Sequence, residues 1–389
     1  MTKTGLNMGS VKHQNRALIL NHIYSNGPTS RKDIAKATGL TAASVTQIVA
    51  RLISENVLVE LGSSSEPARA AGRKKIPVDI KADGQYVFAV NMEPDVTHIA
   101  LCDLKAQLVQ DRAGNKMLKA IPTDGTVPPE EFLGKIADEC KAFSEAATPL
   151  RRKRISAVSV GITGVVDREN GISEHAYGIW TKPVDIRGIL SVKLGLPVYI
   201  ENNVDAFATA ALIFGTGKTH DNLFVIKWGP GVGGAIILNG QLYKAPGGRS
   251  AEFGHLIMDK DGIQCNCGRR GCLETLVSYR ALNRLMPFEL DNFEERFAQA
   301  PEDIKKQIEY RLDLFARSLI NTATIVAPKR VVLFGKMFKS KTLCDMLISA
   351  CKSYDPAYDE KRVMRTRLTE SEGYIGPAAV FVQHFFDTI

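Results

Sequence analysis

Cys265, Cys267 and Cys272 fall within one eight-residue stretch, and His255 stands ten residues before the first of them. No other short stretch restricts the chain so tightly. Three thiolates and one imidazole make a complete tetrahedral donor set for zinc, and a complete set leaves no position for water. The metal expected here is a structural Zn2+ that draws residues 255–272 into a compact loop. Gly262, Gly268 and Gly271 give that loop the freedom to turn tightly. The alternative is a chance group of thiols. The chain has seven cysteines, and an odd number does not suggest a disulfide framework. Cys102, Cys140, Cys344 and Cys351 are scattered and read as small buried apolar residues. No run of about 18 apolar residues offers a membrane span. The opening Met-Thr-Lys-Thr-Gly-Leu-Asn lacks the apolar core of a signal peptide. A cytoplasmic location with no membrane partner is expected, which favours a metal over disulfides.

The formal charge of +8 is unevenly spread. Residues 1–80 hold eleven Lys and Arg against five acids, so a basic module precedes a nearly neutral body. Such a module suits a polyanion. Its helical spacing predicts a first helix over 11–25 with Leu18, Ile19, Ile23 and Tyr24 inward, stopped by Gly27-Pro28. Thr29 or Ser30 caps a second helix over Arg31–Thr38, which ends at Gly39; Thr41 caps a third over about Ala42–Glu55. On the third helix Val45, Ile48, Val49 and Leu52 share one face. Ala43, Gln47, Ala50 and Ser54 lie opposite, flanked by Ser44, Thr46 and Arg51. A short turn followed by a helix with a small, polar outer face is a helix-turn-helix pattern able to enter a major groove. Gln47 can bond adenine, and Ser44 and Thr46 can reach bases or phosphates. Arg51 lies beside them. Strands over 57–61 and 76–80 enclose a loop ending Gly72-Arg73-Lys74-Lys75, a wing with cations for phosphates or the minor groove. Operator double-stranded DNA is the expected partner. A helix-turn-helix used only as a protein interface is the alternative.

After Gly84 strands and helices alternate. Strands are expected over 86–91, 96–102, 155–161, 197–200, 224–227, 235–238 and 331–334, and a helix over 130–145. The pattern is α/β, with function on loops at strand ends. Gly254-His255 followed by Cys265-Asn-Cys267-Gly-Arg-Arg-Gly271-Cys272-Leu-Glu274 resembles the signature of the ROK family of repressors, open reading frames and sugar kinases. Gly161-Ile-Thr-Gly164-Val-Val-Asp167 and Ala251-Glu252-Phe-Gly254-His255 resemble two further family motifs. The resemblance covers residues 84–389. With the winged helix in front, the chain is similar to the family's repressor branch, whose members answer to sugars such as xylose or N-acetylglucosamine.

The resemblance implies an N-terminal winged helix-turn-helix (1–82) joined to an α/β, two-lobed, actin-like (ribonuclease H-like) body (83–389). One lobe covers about 83–200 with a C-terminal helix over 374–389, and the other 201–373. It also implies a homodimer or homotetramer and a sugar effector gripped by Asn202, Asn203, Glu252, His255 and Glu274. His255 then serves metal and sugar at once. Family kinases carry Asn-Asp where this chain has Asn202-Asn203, and an amide cannot take a proton at neutral pH. Asn91-Met-Glu93-Pro94-Asp95 stands where they have an Asp-x-Gly-Gly-Thr turn, and Glu93 there is expected to repel phosphate. Phe334-Gly335-Lys336 replaces a run of glycines, while Gly229-Pro-Gly-Val-Gly-Gly234 survives in outline. The expectation is a non-enzyme: a transcriptional repressor released by a sugar in a zinc-supported cleft. A sugar kinase with a regulatory DNA-binding head is the alternative, and control by a protein partner a third reading.

Overall fold

A computed structural model describes residues 8–62, 76–245, 251–359 and 361–388. The head contains α1 (Met8–Asn26), β1 (Thr29–Ser30), α2 (Arg31–Thr38), α3 (Ala42–Ser54), β2 (Leu58–Glu60) and β3 (Pro77–Ile80). Ser30 caps α2: its Oγ accepts from the Asp33 amide at 3.3 Å and donates to the Asp33 carboxylate at 2.6 Å. Gly39 closes α2 in the left-handed region at φ 71°. Thr41 caps α3 by accepting from the Ser44 amide at 3.1 Å. Val45, Val49 and Leu52 of α3 are buried. β2 and β3 pair antiparallel as the wing requires, and β1 adds a third strand on the other side of β3. In α1, Leu20 is buried and Leu18 is 44% exposed. The expectation for Leu18 is corrected: a step of one residue turns the helix by about 100°, which carries Leu18 off the face formed by Ile19, Leu20 and Ile23.

The body begins with β4 (Tyr86–Met92), β5 (Val96–Asp103), β6 (Leu118–Pro122), α4 (Pro129–Ala146), α5 (Pro149–Arg152), β7 (Ile155–Ile162), β8 (Val165–Asp167), β9 (Ile172–His175), β10 (Val184–Asp185), α6 (Ile186–Leu194) and β11 (Val198–Asn202). It continues with α7 (Asn203–Phe214), β12 (Leu223–Trp228), β13 (Val232–Leu238), β14 (Gln241–Leu242), α8 (Glu274–Val277), α9 (Tyr279–Leu285), α10 (Phe293–Gln299), α11 (Glu302–Val326), β15 (Arg330–Phe334), α12 (Lys341–Tyr354), β16 (Val363–Arg365) and α13 (Ile375–Thr388).

Two five-stranded sheets organise it, ordered β11-β7-β4-β5-β6 and β14-β13-β12-β15-β16. Each is an antiparallel meander of three strands with two parallel strands added beside the first. The two lobes thus repeat one topology. A small sheet, β10-β9-β8, extends the first lobe. α7 and α13 pack together between the two large sheets. Outside them, α4 and α6 cover the first sheet, while α11 and α12 cover the second. The central apolar core runs without a break from Ile19 and Leu20 of the head through Phe207 of α7 to Phe386 of α13. Tyr24 locks this seam: its ring lies 5.2 Å from that of Phe214 and 5.5 Å from that of Phe386. Its hydroxyl donates to the Leu104 carbonyl at 2.6 Å. No helix among the described residues is long and apolar enough to cross a membrane.

Candidate ligand cleft, metal centre and DNA-facing helix

The ligand atoms of His255, Cys265, Cys267 and Cys272 all lie within 4.8 Å of one another. His255 Nδ1 is 3.5 Å from Cys265 Sγ, and Cys267 Sγ is 3.6 Å from Cys272 Sγ. Backbone bonds from Cys265 N to Arg269 O (2.8 Å) and from Gly268 N to Cys265 O (3.0 Å) wind the loop around the thiols. Gly271 is indispensable, because a Cβ there would stand 1.5 Å from the Asp259 carbonyl oxygen. Three soft sulfurs and one imidazole fit Zn2+ in composition and proximity.

All five residues expected to grip a sugar border one cavity of about 100 Å³ between the lobes, with Tyr177, Lys227 and Arg280 among its other walls. β11 delivers Asn202 and α7 starts at Asn203. The Asn202 oxygen caps α7 by accepting from the amides of Val204 (2.8 Å) and Asp205 (3.2 Å), and its Nδ2 donates to Gly164 O at 2.7 Å. Its polar atoms therefore hold the backbone that presents Asn203. Asn203 Nδ2 donates to Glu93 Oε1 at 2.6 Å. Glu93 in turn pairs with Lys227, so the expected repulsion from Glu93 is corrected: its charge is balanced inside the cleft. Glu274 Oε2 accepts from the Val232 amide at 2.8 Å. Burial pushes the Glu274 carboxyl above its ordinary range, against the Val232 amide and the Lys227 and Arg280 charges. The glycine-rich turn has a packing reason as well, since a Cβ on Gly231 would stand 2.7 Å from Glu274 Oε2.

Four participants were not legible in the sequence. Arg269 on the cysteine loop bonds Glu252 at 2.5 Å and approaches Cys267 Sγ at 3.5 Å, joining metal loop and cleft. Tyr177, from the first lobe, meets the His255 ring edge-on at 5.1 Å. Arg168 pairs with both Glu201 and Asp205 at 2.5 Å, clamping the start of α7. Lys227 is a buried cation on an apolar strand.

In the head, Gln47, Thr46 and Arg51 are exposed and Ser44 is half-buried. Thr46 Oγ1 donates to Ala42 O at 2.7 Å, and Arg51 Nε bonds Glu55 at 2.8 Å. Glu55 also pairs with Arg16 of α1. Burial alone would raise the Glu55 carboxyl, but the two arginines outweigh it and hold it below its ordinary range. The Gln47 side chain makes no hydrogen bond among the described residues. Arg73, Lys74 and Lys75 lie outside them.

The ROK family pattern matches residues 90–384, and a winged helix-turn-helix DNA-binding pattern matches residues 13–59. The chain belongs to the ROK family. It is 24% identical over 395 residues to the xylose repressor of Bacillus subtilis, spanning 97% of both proteins. The crystal structure of a ROK family transcriptional regulator, a homologue of the E. coli MLC protein, superposes with a TM-score of 0.76. Identity is 21%, with 97% of each chain covered. A ROK glucokinase from Streptomyces griseus, solved with glucose and AMPPNP, has a TM-score of 0.58 at 22% identity, covering 76% of this chain and 98% of its own. The fold is therefore the two-lobed, actin-like ROK body behind a winged helix-turn-helix, as the sequence motifs implied.

Proposed function

We propose that this ROK protein is a sugar-responsive transcriptional repressor. The winged head, residues 1–82, binds operator DNA, and the body, residues 83–389, binds a sugar between lobes covering 83–200 with 374–389 and 201–373. One observation carries the reading: α7 begins in the cleft at Asn203 and ends at Phe214 against Tyr24 of the head. A 12-residue helix is a rigid rod of about 18 Å. A ligand that prefers one lobe arrangement therefore pulls on the head through α7, as an effector must if it is to shift an equilibrium. The name of the Bacillus subtilis relative supports a repressor that answers to a sugar.

Within the cleft, Glu252 and Glu274 accept from sugar hydroxyls, Asn203 bonds a further hydroxyl, and His255 adds a contact from the nitrogen turned away from the thiols. Asn202 holds the start of α7. Zn2+ on His255, Cys265, Cys267 and Cys272 fixes the wall that carries His255, and Arg269 ties that wall to Glu252. On DNA, Gln47 reads a base from the major groove, while Ser44, Thr46 and Arg51 meet the flanking backbone. Arg73, Lys74 and Lys75 reach phosphates from the wing. Two heads, from a homodimer or from half of a homotetramer, read a symmetric operator. Phosphoryl transfer is not part of this reading, because Asn203 cannot serve as a base and the turn Asn91-Met-Glu93-Pro94-Asp95 lacks the glycines of a phosphate loop, with Pro94 offering no amide donor.

The deciding experiment measures operator affinity of the full chain across a panel of pentoses, hexoses and amino sugars. One sugar is expected to weaken operator binding. Incubation with labelled ATP and the same panel is expected to yield no sugar phosphate; turnover would replace this reading with the kinase alternative.

A further inference from the structure

Two chambers between the lobes meet at one ion pair. The cavity bordered by the candidate sugar residues and a second cavity of about 160 Å³ share Glu93, Lys227 and Pro230 in their walls. Lys227 comes from β12 in the second sheet, and Glu93 from the turn after β4 in the first. Lys227 Nζ meets Glu93 Oε1, with side chains only 6% and 13% exposed. A lysine taken out of water is strongly disfavoured unless an opposite charge answers it at close range. Glu274 and Glu372 of its own lobe act on Lys227 electrostatically, but the carboxylate bonded to it belongs to the opposite lobe, so keeping the pair together keeps the lobes together. The same Glu93 oxygen accepts from Asn203 Nδ2 at 2.6 Å. Asn203 thus takes its orientation from a carboxylate that a lysine of the facing sheet holds still. Asp95, from the same turn, pairs with Arg280 across the cleft, but those side chains are 42% and 47% exposed. Solvent weakens such a pair, so the buried one dominates.

We propose that Glu93 and Lys227 are positioning residues of the cleft: their ion pair latches the first lobe to the second and aims the Asn203 amide at the ligand. The inference rests on the reading of this cleft as the sugar site. It adds that lobe closure is governed by a charge pair within the chain itself. The pair lies between the chambers, so opening it merges them, and a ligand in the first chamber senses the second.

The test uses the full chain with Glu93→Gln, Lys227→Met, both together, and Lys227→Arg. Hydrogen exchange without ligand reads the amides of residues 93, 95 and 203–205, and calorimetry reads affinity for D-xylose and D-glucose. Each neutralising variant is expected to speed exchange on both sides of the cleft and to weaken sugar binding about tenfold. The double variant is expected to be no worse than either single, because partners in one interaction do not add. Lys227→Arg, which keeps the charge, is expected to retain slow exchange and bind sugar more tightly than Lys227→Met. Wild-type exchange in both single variants, additive losses in the double, or a Lys227→Arg protein no better than Lys227→Met would each overturn the latch. If the wild-type chain binds neither sugar, the reading of the cleft fails for those ligands, and the exchange data still decide the latch. Should Glu93→Gln not fold, the Lys227→Met and Lys227→Arg pair reads the same contact from its other end.

Discussion

At the scale of single residues the cysteine loop and the second chamber make separate predictions. Cys267→Ser removes one of four donors from a closed set, and the remaining three cannot hold Zn2+ as tightly. Metal analysis is expected to show less than one zinc per chain. Sugar affinity is expected to fall with it, because His255 and Arg269 tie the loop to Glu252. A zinc-replete Cys267→Ser protein would remove Cys267 from the donor set, and a zinc-poor one with wild-type sugar affinity would separate the two sites. Glu372, in the wall of the second chamber, has its carboxyl pushed up to about 7. Burial is the main cause and Glu93 adds to it, against Lys227, Lys336 and Lys339. A folded-state value above the unfolded one means that the folded protein holds the extra proton. This group therefore lowers stability as pH rises from about 4.5 through about 7. Glu372→Gln removes the penalty. Its melting temperature is expected to exceed that of wild type more at pH 8 than at pH 5, and an equal gap at both would dissociate the effect from ionisation.

At the scale of elements, the wing and α7 carry the expectations. Each phosphate contact contributes about 0.9 to the slope of log affinity against log salt. Replacing Arg73, Lys74 and Lys75 by Ala is therefore expected to flatten that slope by roughly 3 if all three touch phosphate, while Gln47→Ala relaxes base preference at one position. Phe214→Ala removes the ring between α7 and Tyr24. Sugar binding is expected to persist while the sugar's effect on operator affinity shrinks; an unchanged response would route the signal away from α7. These elements differ in how plainly the sequence announced them. α3 has a cap, a period and a small polar face; of the four residues the helical wheel turns inward, Val45, Val49 and Leu52 are buried and Ile48 is half-buried. α1 was harder, because Leu18, Ile19 and Leu20 are consecutive and only their angular positions tell which is buried. β6 shows no alternation, with Leu118 exposed beside Lys119 and Ala120. The motifs marked Glu252, His255 and Glu274 because their types and spacing are local, and the resemblance to the kinases' Asn-Asp pair marked Asn202 and Asn203. Lys227 stayed hidden: it looks like a polar break in an apolar strand, and its partner lies 134 positions away.

At the scale of the whole molecule the two ends of the chain share one equilibrium. If sugar and operator favour different lobe arrangements, each weakens the other by the same factor, ~1–3 kcal/mol or roughly 5–150-fold. Sugar titrations with and without saturating operator are expected to differ by the factor seen in operator titrations with and without sugar. Equal sugar affinities would leave two independent binding activities. The continuous apolar core that joins Ile19 and Leu20 to Phe386 bears on how such proteins diversify. A head that shares its interior with the body is not a detachable module. Transplanting the DNA-binding segment of another family member onto this body would expose unmatched surface along α1, Phe214 and Phe386. A chimera junction placed after Asn26, which keeps α1 with its native body and exchanges only α2, α3 and the wing, moves the mismatch to the α1–α2 seam and leaves the Tyr24 contacts whole. New operator specificities are therefore expected to arise by substitution on the outer face of α3 more readily than by exchange of whole heads.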